Sequence, residues 1–194
     1  MGFPIEKHKH AIEVATDLFW REGFEGVSVE DVVRASGLNR YALYQNFGGK
    51  KGLFLAALEA YCEMGKRMTL ELLGDPSLKA LDALQQSMEQ KLSDPTMSRS
   101  GCLMTTTAVE LAAKDAVVAE RVQAHVSEMK GLLVAALSRA QAEGDVAVDS
   151  DPTALAEILF NTFVGTAVQA RMGIPQQAIL ASVRGSFFSI RHKS

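Results

Sequence analysis

Two helix-start signals, Ser28 and Asn39 with Gly37 between them, constrain this chain more than any other feature. Ser28 can accept from the amides of the turn that follows it. Asp31 stands three residues on, close to a capping box in which Glu or Gln is the usual partner. Val29, Val32 and Val33 recur at helical spacing and make one apolar stripe. Ser36 and Gly37 end that helix, glycine supplying the left-handed residue cheaply. Asn39 caps a second helix, with Leu38 and Leu43 as its staple and with Leu43 and Phe47 facing inward. Arg40, Tyr41, Tyr44 and Gln45 are left pointing away from that core. Two short helices joined by a glycine-containing turn make a helix-turn-helix, whose second helix enters the major groove of DNA.

The flanks read as helices throughout. His10 to Glu22 is amphipathic through Ile12, Ala15, Leu18 and Phe19, and Trp20 and Phe24 are expected to close a small core. Residues 1–9 are expected to form a mobile arm. Further helices are predicted over Gly52–Leu73, Ser77–Leu92, Cys102–Ala113, Ala116–Ala142 and Thr153–Met172, with Pro152 in a favoured first-turn position. A last helix carries Ile179, Val183 and Phe187, and Ser93–Gly101 is the clearest loop. No strand pattern or repeat occurs. The expectation is an all-α fold of about nine helices, with residues 1–50 as a helix-turn-helix DNA-binding domain and 51–194 as a second helical domain. The helix Thr153–Met172 is apolar nearly all round, so it needs cover on more than one side, and a partner subunit is the natural second cover. On that helix the expected interface residues are Leu155, Leu159, Val164 and Val168.

With 194 residues and a net charge of −3, the chain can bury a sizeable core but cannot coat nucleic acid by bulk charge. Cys62 and Cys102 form no C-x-x-C and no zinc spacing, which fits a reduced cytosolic setting. No signal-peptide pattern occurs, and the nearly apolar run Ala154–Ala170 is too short for a bilayer, so no membrane association is expected. No hydrolase, zinc-protease or nucleotide-binding motif is present, so neither an enzyme nor a metal or cofactor is expected.

The run LFWREGFEGVSVEDVVRASGL followed by NRYALYQNFGGKKGLF resembles the TetR/AcrR-type bacterial transcriptional regulators, over residues 10–58. The stretch SGCLMTTTAVELAAKDAVVAERV is similar to a subgroup in which Gly-Cys-Leu starts the sixth helix. The resemblance implies a two-fold dimer joined by its last two helices, which adds Ile179, Val183 and Phe187 to the expected dimer interface. It also makes 51–194 a ligand-binding and dimerisation domain with a ligand pocket whose occupation releases a palindromic operator. Tyr44 and Lys50 match its phosphate-contacting positions. Arg40, Tyr41 and Gln45 fall where base contacts arise, and the caps Ser28 and Asn39 are counted in the same DNA-binding set. Gln45-Asn46 stands where a basic residue or His is frequent, which bears on the operator sequence.

The candidate pocket is Met64, Met68, Leu84 and Met88 with Met104, Phe160 and Phe163, soft side chains that suit a hydrophobic or amphipathic effector. Thr105, Thr106 and Thr107 can cap, back-bond or offer a hydroxyl to that pocket. Cys102 at a helix start is a candidate redox residue. The expected protein is a cytoplasmic, homodimeric repressor acting on double-stranded DNA. The alternatives are a helical dimer that binds a ligand or protein without reading DNA, and a thiol-based sensor using Cys102.

Overall fold

Nothing between Ile5 and Glu22 breaks a helix, and α1 (Ile5–Glu22) runs through the whole stretch. The computed structural model describes residues 5–192. Residues 5–9 of the expected arm are therefore the opening turns of α1, and the His8 ring stacks on Phe47 with centroids 4.5 Å apart. The other four residues of that arm lie outside the described residues. The two capping signals act as written. α2 (Val29–Ser36) begins at Ser28 in a complete capping box with Asp31, and Gly37 ends it at φ 67°. α3 (Arg40–Phe47) begins at Asn39, whose side chain accepts from the Ala42 amide. α4 (Lys50–Leu73), α5 (Ala80–Ser93), α6 (Met97–Ser100), α7 (Leu103–Leu111), α8 (Ala116–Ala142), α9 (Pro152–Arg171) and α10 (Gln176–Ile190) follow. Among the described residues there are thus ten helices and no strand. The helix beyond the expected nine is α6, a single turn inside the expected 93–101 loop. The Asp94 carboxylate nucleates it by accepting from the Thr96 and Met97 amides, and Met97 is buried beneath it.

The chain forms two compact units that are interleaved in sequence. The first takes residues up to Met64 and returns for Leu103–Val122, so it extends beyond the division expected after residue 50. Its core is built on Phe19, Leu43, Leu53 and Phe54, all essentially inaccessible, and each contributes about 1.5–3 kcal/mol by burial. Phe24 joins it, 4.9 Å from the Phe54 ring, whereas Trp20 packs edge-on against Tyr61 of α4.

The second unit takes Gly65–Cys102 and Gln123 onward. Asp151 caps α9 through the Thr153 amide, with Pro152 at the first position as expected. α10 packs on α9 and on α5, and α6 packs on α9. Leu159 of α9 and Ile179, Val183 and Phe187 of α10 are at most 2% exposed in this packing. Those four residues were expected in the dimer interface. They are buried inside the protomer instead, because α9 and α10 spend their most regular apolar faces on each other and on α5. No helix among the described residues is long and apolar enough to cross a membrane.

Candidate nucleic-acid interface

The roll of α3 is set by Leu43, which is fully buried, and its opposite face is open: Tyr41 is 74% and Tyr44 55% exposed, and Arg40 and Gln45 are exposed beside them. Two large aromatic residues are thus left mostly in water on a short, doubly capped helix. Ser28 and Asn39 are exposed at the same end, but their side chains are employed. The Ser28 hydroxyl donates to Asp31 Oδ2 at 2.6 Å and accepts from the Asp31 amide at 3.1 Å. Those contacts from the Ser28 hydroxyl and amide hold the Asp31 carboxyl below its usual range. Asn39 Oδ1 accepts from Ala42 N at 2.8 Å. Arg40 reaches across to Glu30 of α2. Both groups are well exposed, so the pair is worth at most about 1 kcal/mol and can yield to a base edge or a phosphate.

Lys50 is engaged inside the first unit. Its Nζ donates to the carbonyls of Phe24 (2.9 Å) and Val27 (2.7 Å) and sits 4.0 Å from the Phe24 ring centroid. A cation at a helix N-terminus is unfavourably placed with respect to the dipole, and here two carbonyls of the preceding turn offset that. Glu110 of α7, which the sequence did not flag, grips the same turn from its amide side. Its carboxylate accepts from Phe24 N at 3.1 Å and Glu25 N at 3.3 Å. Lys51 pairs with Asp115 at 2.5 Å, and that contact holds the Asp115 carboxyl below its usual range. The turn that leads into α2 is therefore clamped on both sides within the first unit.

The candidate pocket residues divide between the units. Leu84 and Met88 are buried on one face of α5 in the second unit, where Met68, Phe160 and Phe163 are half-buried. Met64 and Met104 belong to the first unit, and Met64 is 39% exposed, too open for a pocket wall by itself. A groove lined by Asp82, Gln85, Glu89 and Ser93 runs along the outer side of α5, but it is an open polar surface and none of the candidate pocket residues lines it. Cys102 directly precedes α7, as expected, and is buried. Thr107 is buried with no hydrogen bond to its hydroxyl. Thr107→Val should therefore leave stability unchanged or raise it by up to about 1 kcal/mol, read from the urea midpoint. A loss above that would mean the hydroxyl has a partner.

Of the remaining interface candidates, Leu155 and Val164 are half-buried and Val168 is 43% exposed. They share α9 with Ile158 (48%); Met172, the C-cap of α9, is 71% exposed, and Phe188 of α10 is 65% exposed.

A short capped helix with an unburied aromatic and cationic face, seated on a clamped turn, defines a DNA-binding regulator of the helix-turn-helix class. The family model described as "Bacterial regulatory proteins, tetR family" matches residues 11–57. The model described as "Tetracyclin repressor-like, C-terminal domain" matches residues 77–184. The chain belongs to the tetR family of bacterial regulatory proteins. It is 26% identical over 180 residues to the HTH-type transcriptional repressor ComR of Escherichia coli, covering 88% of this chain and 82% of that one. It is 30% identical over 148 residues to the HTH-type transcriptional regulator YezE of Bacillus subtilis, covering 75% and 76%. A cysteine mutant of the TetR family transcriptional regulator CifR, solved in complex with 26-bp operator DNA, superposes with a TM-score of 0.81 at 26% identity, covering 98% of both chains.

Proposed function

We propose that this protein is a cytoplasmic homodimeric repressor, not an enzyme, which binds a palindromic operator through α3 and is released by a small effector held in its second unit. The observation that carries the reading is the exposed face of α3, with Tyr41 and Tyr44 in water while Leu43 is fully buried. Arg40 leaves Glu30 to read a guanine edge, for which arginine is the usual partner, and Gln45 suits adenine. Tyr44 donates its hydroxyl to a phosphate. Lys50 supports the motif from behind through the Phe24 and Val27 carbonyls. The dimer face moves from the buried residues to the exposed Ile158 and Val168 of α9 and Met172 at its C-cap, with Phe188 of α10, flanked by Leu155 and Val164.

The purified protein should retard a palindromic fragment from beside its own gene, with affinity falling steeply as salt rises. Arg40→Ala should weaken binding by about tenfold or more, since a bidentate base contact is worth roughly 1–3 kcal/mol, and Tyr44→Phe should weaken it less. Helical content by circular dichroism should not change. Unaltered operator affinity in both variants would sink the assignment of the reading face.

A further inference from the structure

One cationic side chain in the second unit is aimed inward and meets no carboxylate. Lys91 lies on the face of α5 that carries Leu84 and Met88, one turn beyond Met88. The residue is half-buried, and its Nζ donates to Thr69 Oγ1 of α4 at 2.6 Å. Thr69 is 3% and Ser87 2% exposed, and their hydroxyl oxygens are 2.8 Å apart. Thr69 also donates to the Gly65 carbonyl at 3.1 Å. Its single hydrogen is thus used, and its lone pairs are taken by Lys91 and Ser87. An ammonium has three N–H donors. Lys91 uses one of them, and among the described residues no carboxylate is paired with it. The charged or titratable group that faces it is the Cys102 thiol. Nearby carboxylates are engaged elsewhere: Glu89 is held by Arg184 and Gln85, and Asp82 by Arg191.

Buried cations are normally paired, because removing a charge from water is expensive unless an opposite charge or several hydrogen bonds replace the solvent. Here two N–H donors and one net positive charge meet no acceptor or carboxylate among the described residues, at the end of an apolar helix face. Space is left beside them as well. A Cβ added at Gly65 would meet nothing within 4 Å except Lys91 Cε, at 3.9 Å.

We propose that Lys91, with Thr69 and Ser87, is the anchor of the effector site, and that the effector is a small organic acid whose single carboxylate pairs with the Lys91 ammonium. This rests on the reading of the protein as an effector-released regulator. One carboxylate supplies the two acceptors that the free donors lack and cancels one charge. The Ser87 hydroxyl can turn from Thr69 toward the incoming oxygen, and Leu84 and Met88 receive the apolar remainder. A phosphate dianion would bring a second charge with no second cation to meet it.

The test is calorimetric titration of the full-length protein with benzoate and with straight-chain monocarboxylates of three to eight carbons, with the matching amides and inorganic phosphate as controls. At least one carboxylate should bind, and its amide and phosphate should not. Lys91→Met, which keeps length and removes charge, should lose at least tenfold in affinity, and Lys91→Arg should keep part of it. Gly65→Leu leaves the charge and fills the adjoining space, so it should lose binding as well. Circular dichroism melts establish that each variant is folded. The site is overturned if no carboxylate binds, if the amide binds as well as its acid, or if Lys91→Met binds like the parent. Operator retardation is scored separately. A compound that releases DNA equally from the parent and from Lys91→Met would uphold the regulator and overturn the site. Binding that depends on Lys91 without DNA release would overturn the regulatory reading and leave the anion site standing.

Discussion

Gly101→Ala is expected to destabilise the second unit by about 3 kcal/mol or more. Gly101 has φ 67° and ψ −160°, a region open essentially only to glycine, and holding another residue there costs about 1–3 kcal/mol. A second penalty is steric. A Cβ at this position would run into the Ala167 carbonyl of α9, a backbone atom that a rotamer change cannot move aside. The corner sits where α6 packs on α9, so relief would mean shifting one helix from the other. For a chain of this size a loss of 3 kcal/mol lowers Tm by roughly 6–12 °C, measurable by thermal or urea unfolding. Gly131→Ala is the internal comparison. Gly131 lies inside α8 with nothing within 4 Å of an added Cβ, so alanine there should stabilise by up to about 1 kcal/mol. A loss under about 1 kcal/mol for Gly101→Ala would mean that the corner relaxes. The Gly-Cys-Leu resemblance thereby acquires a physical content: the glycine permits the close approach to α9, and the next residue, Cys102, is set at the head of α7.

The features legible from sequence were those written in local spacing. Ser28 with Asp31, and Asn39 with the Ala42 amide, are contacts over three residues, and both formed as the pattern implied. What spacing did not show was non-local. Lys50 looked like a phosphate ligand because its acceptors, the carbonyls of Phe24 and Val27, are separated from it by 26 and 23 positions. Glu110 gave no signal because its partners are Phe24 and Glu25, 86 and 85 positions away. Periodicity marked α9 as apolar nearly all round, but it cannot say which side a chain keeps for itself. Leu159, Ile179, Val183 and Phe187 were therefore assigned to a partner when the protomer buries them. The opening of α1 was lost to a composition argument: Ile5–Lys9 is polar and short, yet His8 finds the face of Phe47. Lys91 was overlooked for a related reason. A lysine is read as surface by default, although its register, continuing the Leu84 and Met88 face, pointed inward.

Lys91→Met is expected to make the effector-free protein more stable, not less. Burial lowers the Lys91 ammonium from the ordinary 10.5 to about 8. At 1.36 kcal/mol per unit, and allowing for the partial exposure of the stem, the charged form costs about 2–3 kcal/mol at neutral pH. Methionine keeps the apolar stem and removes that cost, so Tm at pH 7 should rise by roughly 4–12 °C. The pH dependence follows from proton counting. Below pH 8 both folded and unfolded chains hold the proton, and the destabilisation is fully present. Between about 8 and 10.5 the unfolded chain keeps a proton that the folded protein has released, so parent stability climbs with pH across that window. Lys91→Met lacks that contribution, and the gap between the two proteins should close toward pH 10.5. A variant less stable than the parent at pH 7, or a gap that does not narrow with pH, would show that the ammonium is already compensated. A residue that lowers the stability of its own fold is the kind retained for function. A bound carboxylate would raise the parent alone, by about 2.7 kcal/mol at a hundredfold excess over Kd, enough to cancel the advantage of the variant. Effector and substitution would then relieve the same buried charge, and only the effector can be withdrawn.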